Sequence, residues 1–86
     1  MSSLVIYSRT QCHFCKKLKD FLNSKNLTYS EVNLDEEPEK QEEMEEKTGG
    51  LGSVPQLFFG EQYIGDCFGV LSEAGQEKLT KALAEN

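Results

Sequence analysis

The sequence has no long hydrophobic run and comparatively few positive charges. Its longest apolar stretch near the start is residues 4–7, far shorter than the roughly 18 residues of a membrane span or the roughly 7–15 of a secretory signal core. Nine basic residues stand against fifteen acidic ones, giving a net charge of −6. A polyphosphate partner requires clustered positive charge. We therefore expect a cytoplasmic protein that binds neither membranes nor nucleic acids.

Cysteine and proline are also scarce. Three cysteines cannot all pair within one chain, so at least one thiol remains free. With two prolines, 37% hydrophobic and 28% charged residues, the chain is too apolar and too varied to be disordered or of low complexity. Its 86 residues suffice for one hydrophobic core. We expect residues 1–86 to form a single domain that acts as a monomer.

The first half of the chain predicts a strand, a helix and a second strand. Residues 4–7 form a continuous apolar run, which is typical of a strand buried on both faces. Apolar residues then recur at helical spacing from Cys12 to Ser24, and a second strand follows within residues 28–34. Such a succession forms a right-handed parallel unit. Cys12 should therefore lie at the N-terminus of the helix.

The second half predicts a helix, a hairpin and a closing helix. Pro38 is a helix-start signal and Gly49 a stop signal. Residues 56–59 and 62–64 flank a two-residue turn, which indicates an antiparallel hairpin. Apolar residues within 71–83 recur at helical spacing and predict one final helix. The predicted fold class is α/β, with the order β-α-β-α-β-β-α.

Cys12 and Cys15 form a C-x-x-C pair that follows a strand and opens a helix, the context in which this spacing indicates a redox dithiol. Free backbone amides and the helix dipole stabilise a thiolate at Cys12, so its pKa should fall below about 8.5. Arg9, Lys16 and, when protonated, His13 add positive charge nearby. Cys12 is the predicted nucleophile. Cys15 lies one helical turn further along and is the predicted resolving thiol.

Two other roles for the cysteine pair are disfavoured. A structural zinc site needs four ligands, and the remaining soft candidates are Cys67 and His13, the latter poorly aimed between the two cysteines. A purely structural disulfide would close a very short loop in a chain without an export signal. We therefore predict no metal site.

Three segments resemble the glutaredoxins, small proteins of the thioredoxin fold. They are residues 5–12, which look like the first strand and active-site loop, residues 52–58, similar to a T-V-P-x-x-F segment, and residues 63–67, similar to an I-G-G segment. The resemblance covers nearly the whole chain and implies a thioredoxin fold with a four-stranded mixed sheet. It implies a glutathione-dependent thiol–disulfide oxidoreductase that reduces protein disulfides and glutathione mixed disulfides. Glutathione would be the electron donor, and no cofactor would be bound.

The resemblance also implies roles for residues around the dithiol. Pro55 would be a cis proline facing the dithiol, with the Val54 backbone pairing with a substrate cysteine. Arg9 would place its cation beside the thiolate and the glycyl carboxylate of glutathione. Phe14 would occupy the aromatic position of the active-site motif. The alternatives are a trans proline, a solvated arginine and a phenylalanine of the core.

His13 is a first departure from the family pattern, because members usually carry proline at this position. A titrating group in place of a rigid one should make the dithiol more oxidising or more sensitive to pH. The departure also leaves open an iron–sulfur carrier, in which Cys12 and external glutathione hold a cluster in a glutathione-bridged dimer.

Residues 65–69 are a second departure, since both polar side chains of the family's glutathione segment are missing. The amides of Cys67 and Phe68 could still bind a carboxylate where the last helix begins. Asp66 is either the anion that meets the γ-glutamyl ammonium or a helix cap. Cys67 is interpreted as a small buried thiol rather than a third redox centre. The weakened segment favours, as an alternative function, a glutaredoxin-like redoxin reduced by thioredoxin reductase.

Overall fold

The structure, a computed structural model, describes residues 3–84. Within this range four strands and four helices follow one another as β1 (Leu4–Ser8), α1 (His13–Ser24), β2 (Tyr29–Asn33), α2 (Lys40–Thr48), β3 (Gln56–Phe59), β4 (Gln62–Asp66), α3 (Cys67–Leu71) and α4 (Glu73–Ala84). The prediction of one domain over residues 1–86 extends beyond the described residues at both ends and stays a prediction.

The four strands form one mixed sheet in the order β2-β1-β3-β4. Strands β1 and β2 run parallel, with Leu4 opposite Tyr29, as expected for strands joined by the crossover helix α1. Strand β3 is antiparallel to both β1 and β4. The α/β class and the four-stranded mixed sheet are therefore confirmed.

Two hydrophobic clusters cover opposite faces of the sheet. The larger one contains Leu4 and Ile6 of β1 and receives α1, α3 and α4, through buried side chains such as Leu18, Val70 and Leu79. The smaller one has Tyr7 and other side chains from the opposite face. Side chains of a strand alternate between faces. Burial of β1 on both sides agrees with its continuous apolar run.

Met44 and a hydrogen bond from Tyr7 hold helix α2 on the second face. Met44 is fully buried and packs with Tyr7 and Phe58. The Tyr7 hydroxyl donates to the Glu43 carboxylate at 2.6 Å. Burial and the neighbouring Glu43 raise the pKa of Tyr7, and the Tyr7 hydrogen bond lowers the pKa of Glu43. These contacts hold a helix that is otherwise mostly acidic and solvated.

The predicted closing helix is present as α4, and the structure adds the short helix α3 before it. The two helices meet at Ser72. The backbone of Ser72 is extended, with ψ at 159°. Its hydroxyl donates to the Gly69 carbonyl at 2.6 Å and accepts from the Gly75 amide at 3.0 Å. A serine that satisfies an amide of the first turn favours a helix start at this point over continuation of the preceding helix.

Helices α3 and α4 touch through their backbones. A Cβ atom at Gly75 would lie 1.7 Å from the Gly69 carbonyl oxygen and 2.9 Å from Cα of Val70. No side chain other than hydrogen fits there. This contact fixes α3, and with it the residues that follow β4, against the long helix α4.

Replacing Gly75 with alanine tests this contact by the sign of its effect. Helix propensity alone would raise the free energy of unfolding by about 1 kcal/mol. We expect a decrease of about 1–3 kcal/mol instead, because the new methyl group overpacks the contact. Urea unfolding followed by circular dichroism measures the change. The control is Thr80→Ala at an exposed position of α4, which should raise the free energy of unfolding by about 0.5 kcal/mol. If Gly75→Ala also raised the free energy of unfolding, the close contact would be disproved.

Candidate active site

The two cysteines of the C-x-x-C pair form a disulfide at the start of α1, with Cα atoms 5.2 Å apart. Cys12 is the N-cap residue, in extended conformation, and its sulfur accepts a hydrogen bond from the Cys15 amide at 3.1 Å. Cys12 is half-buried, whereas Cys15 is only 1% exposed. Solvent therefore reaches Cys12, whereas Cys15 is shielded from it.

Within residues 3–84, the contacts found for His13 and Lys16 are with residues other than the two cysteines. His13 and Lys16 are exposed, and Lys16 forms an ion pair with Asp20 at 2.9 Å. The His13 ring packs edge-on against Phe14, with centroids 5.5 Å apart. Within residues 3–84, the hydrogen bond to the Cys12 sulfur comes from a backbone amide. The roles of His13 and Lys16 in tuning the thiolate stay predictions.

Arg9 is fixed by two residues that follow β2 in the chain. Its guanidinium contacts the Asp35 carboxylate at 3.0 Å and donates to the Gln41 side-chain oxygen at 2.8 Å. The Thr10 amide also donates to Asp35, and this bond, together with Arg9, lowers the pKa of Asp35. Arg9 is thus held at the active-site loop beside a carboxylate. Its predicted place beside the thiolate stays a prediction.

Gln41 joins two loops of the site and was missed by the sequence analysis. Its side-chain oxygen accepts from Arg9, and its amide nitrogen donates to the Gly52 carbonyl at 3.1 Å. It thereby links the loop before Cys12 to the loop before Pro55. No signal in the sequence marks a lone glutamine in a polar helix, because its position depends on how α2 packs.

The Val54–Pro55 peptide bond is cis, which confirms that expectation of the family resemblance. Pro55 is buried and Val54 half-buried. Behind them, Gln56 is fully buried, donates to the Ser53 carbonyl at 3.0 Å and accepts from the Tyr63 hydroxyl at 2.6 Å. The sequence analysis also missed Gln56, which holds the proline loop from inside the sheet.

Seven residues from three segments of the chain line a small groove of about 160 Å³, which we call the cis-proline groove. Six of them were assigned to the site from the sequence or from the resemblance, and Ser53 is added by the structure. The lining residues are Phe14, Ser53, Val54, Pro55, Asp66, Cys67 and Phe68. The predicted binding residues other than Arg9 therefore lie together.

Asp66 performs the capping role that the sequence left open. It is the N-cap residue of α3, and its carboxylate accepts from the Gly69 amide at 2.7 Å. This bond supplies a partner for a first-turn amide. The other role, as an anion for the γ-glutamyl ammonium, stays a prediction.

Cys67 is a free, buried thiol at the floor of the groove, with 1% of its surface exposed. Burial raises the pKa of the thiol, an effect that the charge of Lys17 partly offsets. Cys67 is therefore protonated near neutral pH and unreactive by comparison with an exposed thiolate. This agrees with its interpretation as a small buried residue.

None of the helices within residues 3–84 is long and apolar enough to cross a membrane. In the same range, no three or more histidine, cysteine or acidic side chains are grouped so that they could hold a metal ion. The iron–sulfur alternative, in which external glutathione and a second chain supply the other ligands, stays a prediction.

The family model named Glutaredoxin matches residues 4–64 of this chain. The chain belongs to the glutaredoxin family. Glutaredoxin 1 of Rickettsia prowazekii is 30% identical over 84 residues, which cover 96% of this chain and 88% of that protein. Glutaredoxin 3 of Escherichia coli K12 is 36% identical over 67 residues, which cover 78% and 80% of the two chains.

Solved glutaredoxin structures have the same fold. The holo form of glutaredoxin C1 from Populus tremula x tremuloides superimposes with a TM-score of 0.82 at 30% identity, covering 98% of this chain and 85% of that one. A buckwheat glutaredoxin–glutathione complex gives the same TM-score and identity over 98% and 78% of the two chains. The thioredoxin fold is therefore confirmed. The protein is a thiol–disulfide oxidoreductase of the glutaredoxin type.

The environment of Cys12 predicts a reactive thiolate in the reduced protein. The helix N-terminus and the Cys15 amide favour the charged sulfur, so alkylation of Cys12 by iodoacetamide should reach half its maximal rate below pH of about 8.5, the value for a free thiol. Mass spectrometry of a pH series, with Cys15→Ser as a simplified background, measures this. Cys67 is the internal control and should be labelled only after unfolding; a midpoint at or above that of a free thiol would contradict the prediction.

Proposed function

We propose that the protein is a glutathione-dependent enzyme that reduces protein disulfides and glutathione mixed disulfides. The Cys12 thiolate attacks one sulfur of the substrate disulfide, forms a mixed disulfide and releases the other sulfur as a thiolate. Cys15 or a glutathione thiolate then attacks the Cys12 sulfur and releases the second substrate thiol. Two glutathione molecules then reduce the Cys12–Cys15 disulfide that attack by Cys15 leaves, or one further glutathione reduces the Cys12–glutathione disulfide that attack by glutathione leaves. In both cases the dithiol is regenerated and glutathione disulfide is released.

The observation that carries this proposal is the asymmetry of the two sulfurs. Cys12 lies at a helix N-terminus where a backbone amide donates to its sulfur and solvent reaches it. Cys15 lies one turn along, is fully buried, and is joined to Cys12 by the disulfide. An accessible thiolate attacks an external disulfide, and a shielded thiol reacts with the intermediate that the first attack creates.

Features on both sides of the dithiol support glutathione as the reductant. The Arg9 guanidinium, which has five N–H donors, lies on the active-site loop and pairs with the Asp35 carboxylate, so it is a candidate donor for the glycyl carboxylate. The Val54 backbone precedes β3 next to the cis proline and is free of the pairing that begins at Gln56. The structural similarity to a glutaredoxin that forms a complex with glutathione supports the same partner here.

A second candidate is a redoxin that receives electrons from thioredoxin reductase. The observation that favours it lies at α3, where the carboxylate of Asp66 is engaged by the Gly69 amide and Phe68 presents an apolar ring. With one carboxylate oxygen of Asp66 engaged and an apolar ring at Phe68, this segment offers the γ-glutamyl ammonium fewer polar partners. The two candidates share the dithiol chemistry and differ in the electron donor.

The proposed protein partners are disulfide-containing or glutathionylated proteins, the proposed location is the cytoplasm and the proposed state is a monomer. These follow from the charge and composition of the sequence together with the family. The iron–sulfur carrier has no contact in residues 3–84 that favours it. Anaerobic purification distinguishes it, since a cluster protein is brown.

Glutathione use is tested by reduction of a glutathione mixed disulfide coupled to glutathione reductase. We expect turnover by the unaltered protein, turnover retained in Cys15→Ser, and the background rate in Cys12→Ser, because a glutathione thiol can replace Cys15 but nothing replaces the attacking sulfur. Cys67→Ala is the matched control and should behave as the unaltered protein. If the unaltered protein turns over only when thioredoxin reductase replaces the glutathione system, the second candidate is correct.

A further inference from the structure

Two exposed aromatic rings meet beside the dithiol. Within residues 3–84 three large hydrophobic side chains are exposed, Phe14 (43%), Leu51 (44%) and Phe68 (62%). Phe14 and Phe68 are in contact, with ring centroids 5.0 Å apart and planes tilted by 58°. Phe14 lies between Cys12 and Cys15 in the sequence, so the ring pair includes a residue of the dithiol motif itself. Clustered exposed apolar surface commonly marks a binding site.

The two rings form part of a groove whose walls and floor are mainly apolar. Val54 and Pro55 line it together with the rings, and the buried Cys67 thiol is protonated near neutral pH. The Asp66 carboxylate also lines the groove, but it accepts a hydrogen bond from the Gly69 amide. An apolar side chain can therefore pack against the two rings while the Asp66 carboxylate keeps its hydrogen-bond partner.

The chemistry at Cys12 determines what can occupy this groove. A disulfide that reacts with Cys12 must bring one sulfur to the start of α1, and an extended chain advances about 3.3 Å per residue. Side chains directly next to the reacting cysteine therefore fall within reach of Phe14 and Phe68. Glutathione has only γ-glutamyl and glycyl groups next to its cysteine, and neither has an apolar side chain.

We propose that Phe14 and Phe68 determine substrate specificity, by binding an apolar side chain adjacent to the reacting cysteine of a protein disulfide. The occupant of the cis-proline groove is thus an extended polypeptide segment with an aromatic or large aliphatic residue beside its cysteine. This inference deepens the proposed function and rests on it for the attack by Cys12. It does not depend on whether glutathione or thioredoxin reductase reduces the enzyme afterwards.

The test compares two uncharged peptide disulfides with chemically pre-reduced protein. Each substrate is a symmetric disulfide of a short blocked peptide, with phenylalanine on both sides of the cysteine in one and serine in the other. Rapid-quench mass spectrometry gives the second-order rate constant for a single turnover. The protein's own dithiol supplies both electrons and becomes the Cys12–Cys15 disulfide, while the peptide disulfide becomes two thiols, so no external reductant takes part.

We expect the unaltered protein to reduce the phenylalanine peptide about tenfold faster than the serine peptide, which corresponds to about 1.4 kcal/mol. In Phe68→Ser this ratio should fall to about onefold to threefold, since most of the apolar contact surface is removed. Phe14→Ser is a second variant with the same expected direction. Both side chains are well exposed, so the fold tolerates their loss, which circular dichroism verifies.

Leu51→Ser is the matched control, because it removes an exposed hydrophobic side chain that does not line the groove. It should leave the tenfold ratio in place. Equal rates for the two peptides in the unaltered protein, or a ratio that persists in both phenylalanine variants, would overturn the inference. Failure of glutathione to re-reduce the oxidised protein, with the peptide preference present, would instead refute the glutathione-dependent function and leave the inference supported.

Discussion

The hydrogen bond from the Cys15 amide to the Cys12 sulfur is the contact around which the site is arranged. It makes Cys12 the N-cap of α1, so the residue at which the helix begins is also the proposed nucleophile. The parallel pairing of β1 with β2 sets where the preceding loop ends, and α1 packs on the larger hydrophobic cluster. The same arrangement buries Cys15 and leaves Cys12 accessible, which supports the proposed order of attack, first by Cys12 and then by Cys15.

Around this centre, the chain uses polar side chains to hold loops that have no regular structure. Gln41 connects Arg9 to Gly52, and Gln56 supports the segment before β3. Such bonds satisfy polar groups that lie out of water, and each residue so held loses little further freedom when a substrate binds. The site is therefore largely organised in advance, with its two aromatic rings presented to solvent on a fixed framework.

Much of this could be predicted from the sequence, for reasons that differ between elements. The run at residues 4–7 predicts a central strand because burial on both faces requires apolar residues at every position. The dithiol and the cis proline follow from short motifs whose chemistry is local. The break between α3 and α4 at Ser72 was not predicted, because the apolar spacing continues across it. The two helices are recognised from the hydrogen bonds of the Ser72 hydroxyl. The roles of Gln41 and Gln56 were not predicted, because their hydrogen-bond partners are set by how loops and strands pack and not by a local sequence pattern.

The backbone contact between Gly75 and Gly69 has a consequence for how this site can change in evolution. It holds the main chain of α3 against the long helix α4. The Phe68 side chain, on the same short helix, is exposed to solvent and is not part of the hydrophobic core. Substitutions at this position can therefore alter which disulfides are preferred without disturbing the scaffold. A fixed main chain with a replaceable side chain lets a lineage acquire new substrates while the sulfur chemistry stays intact.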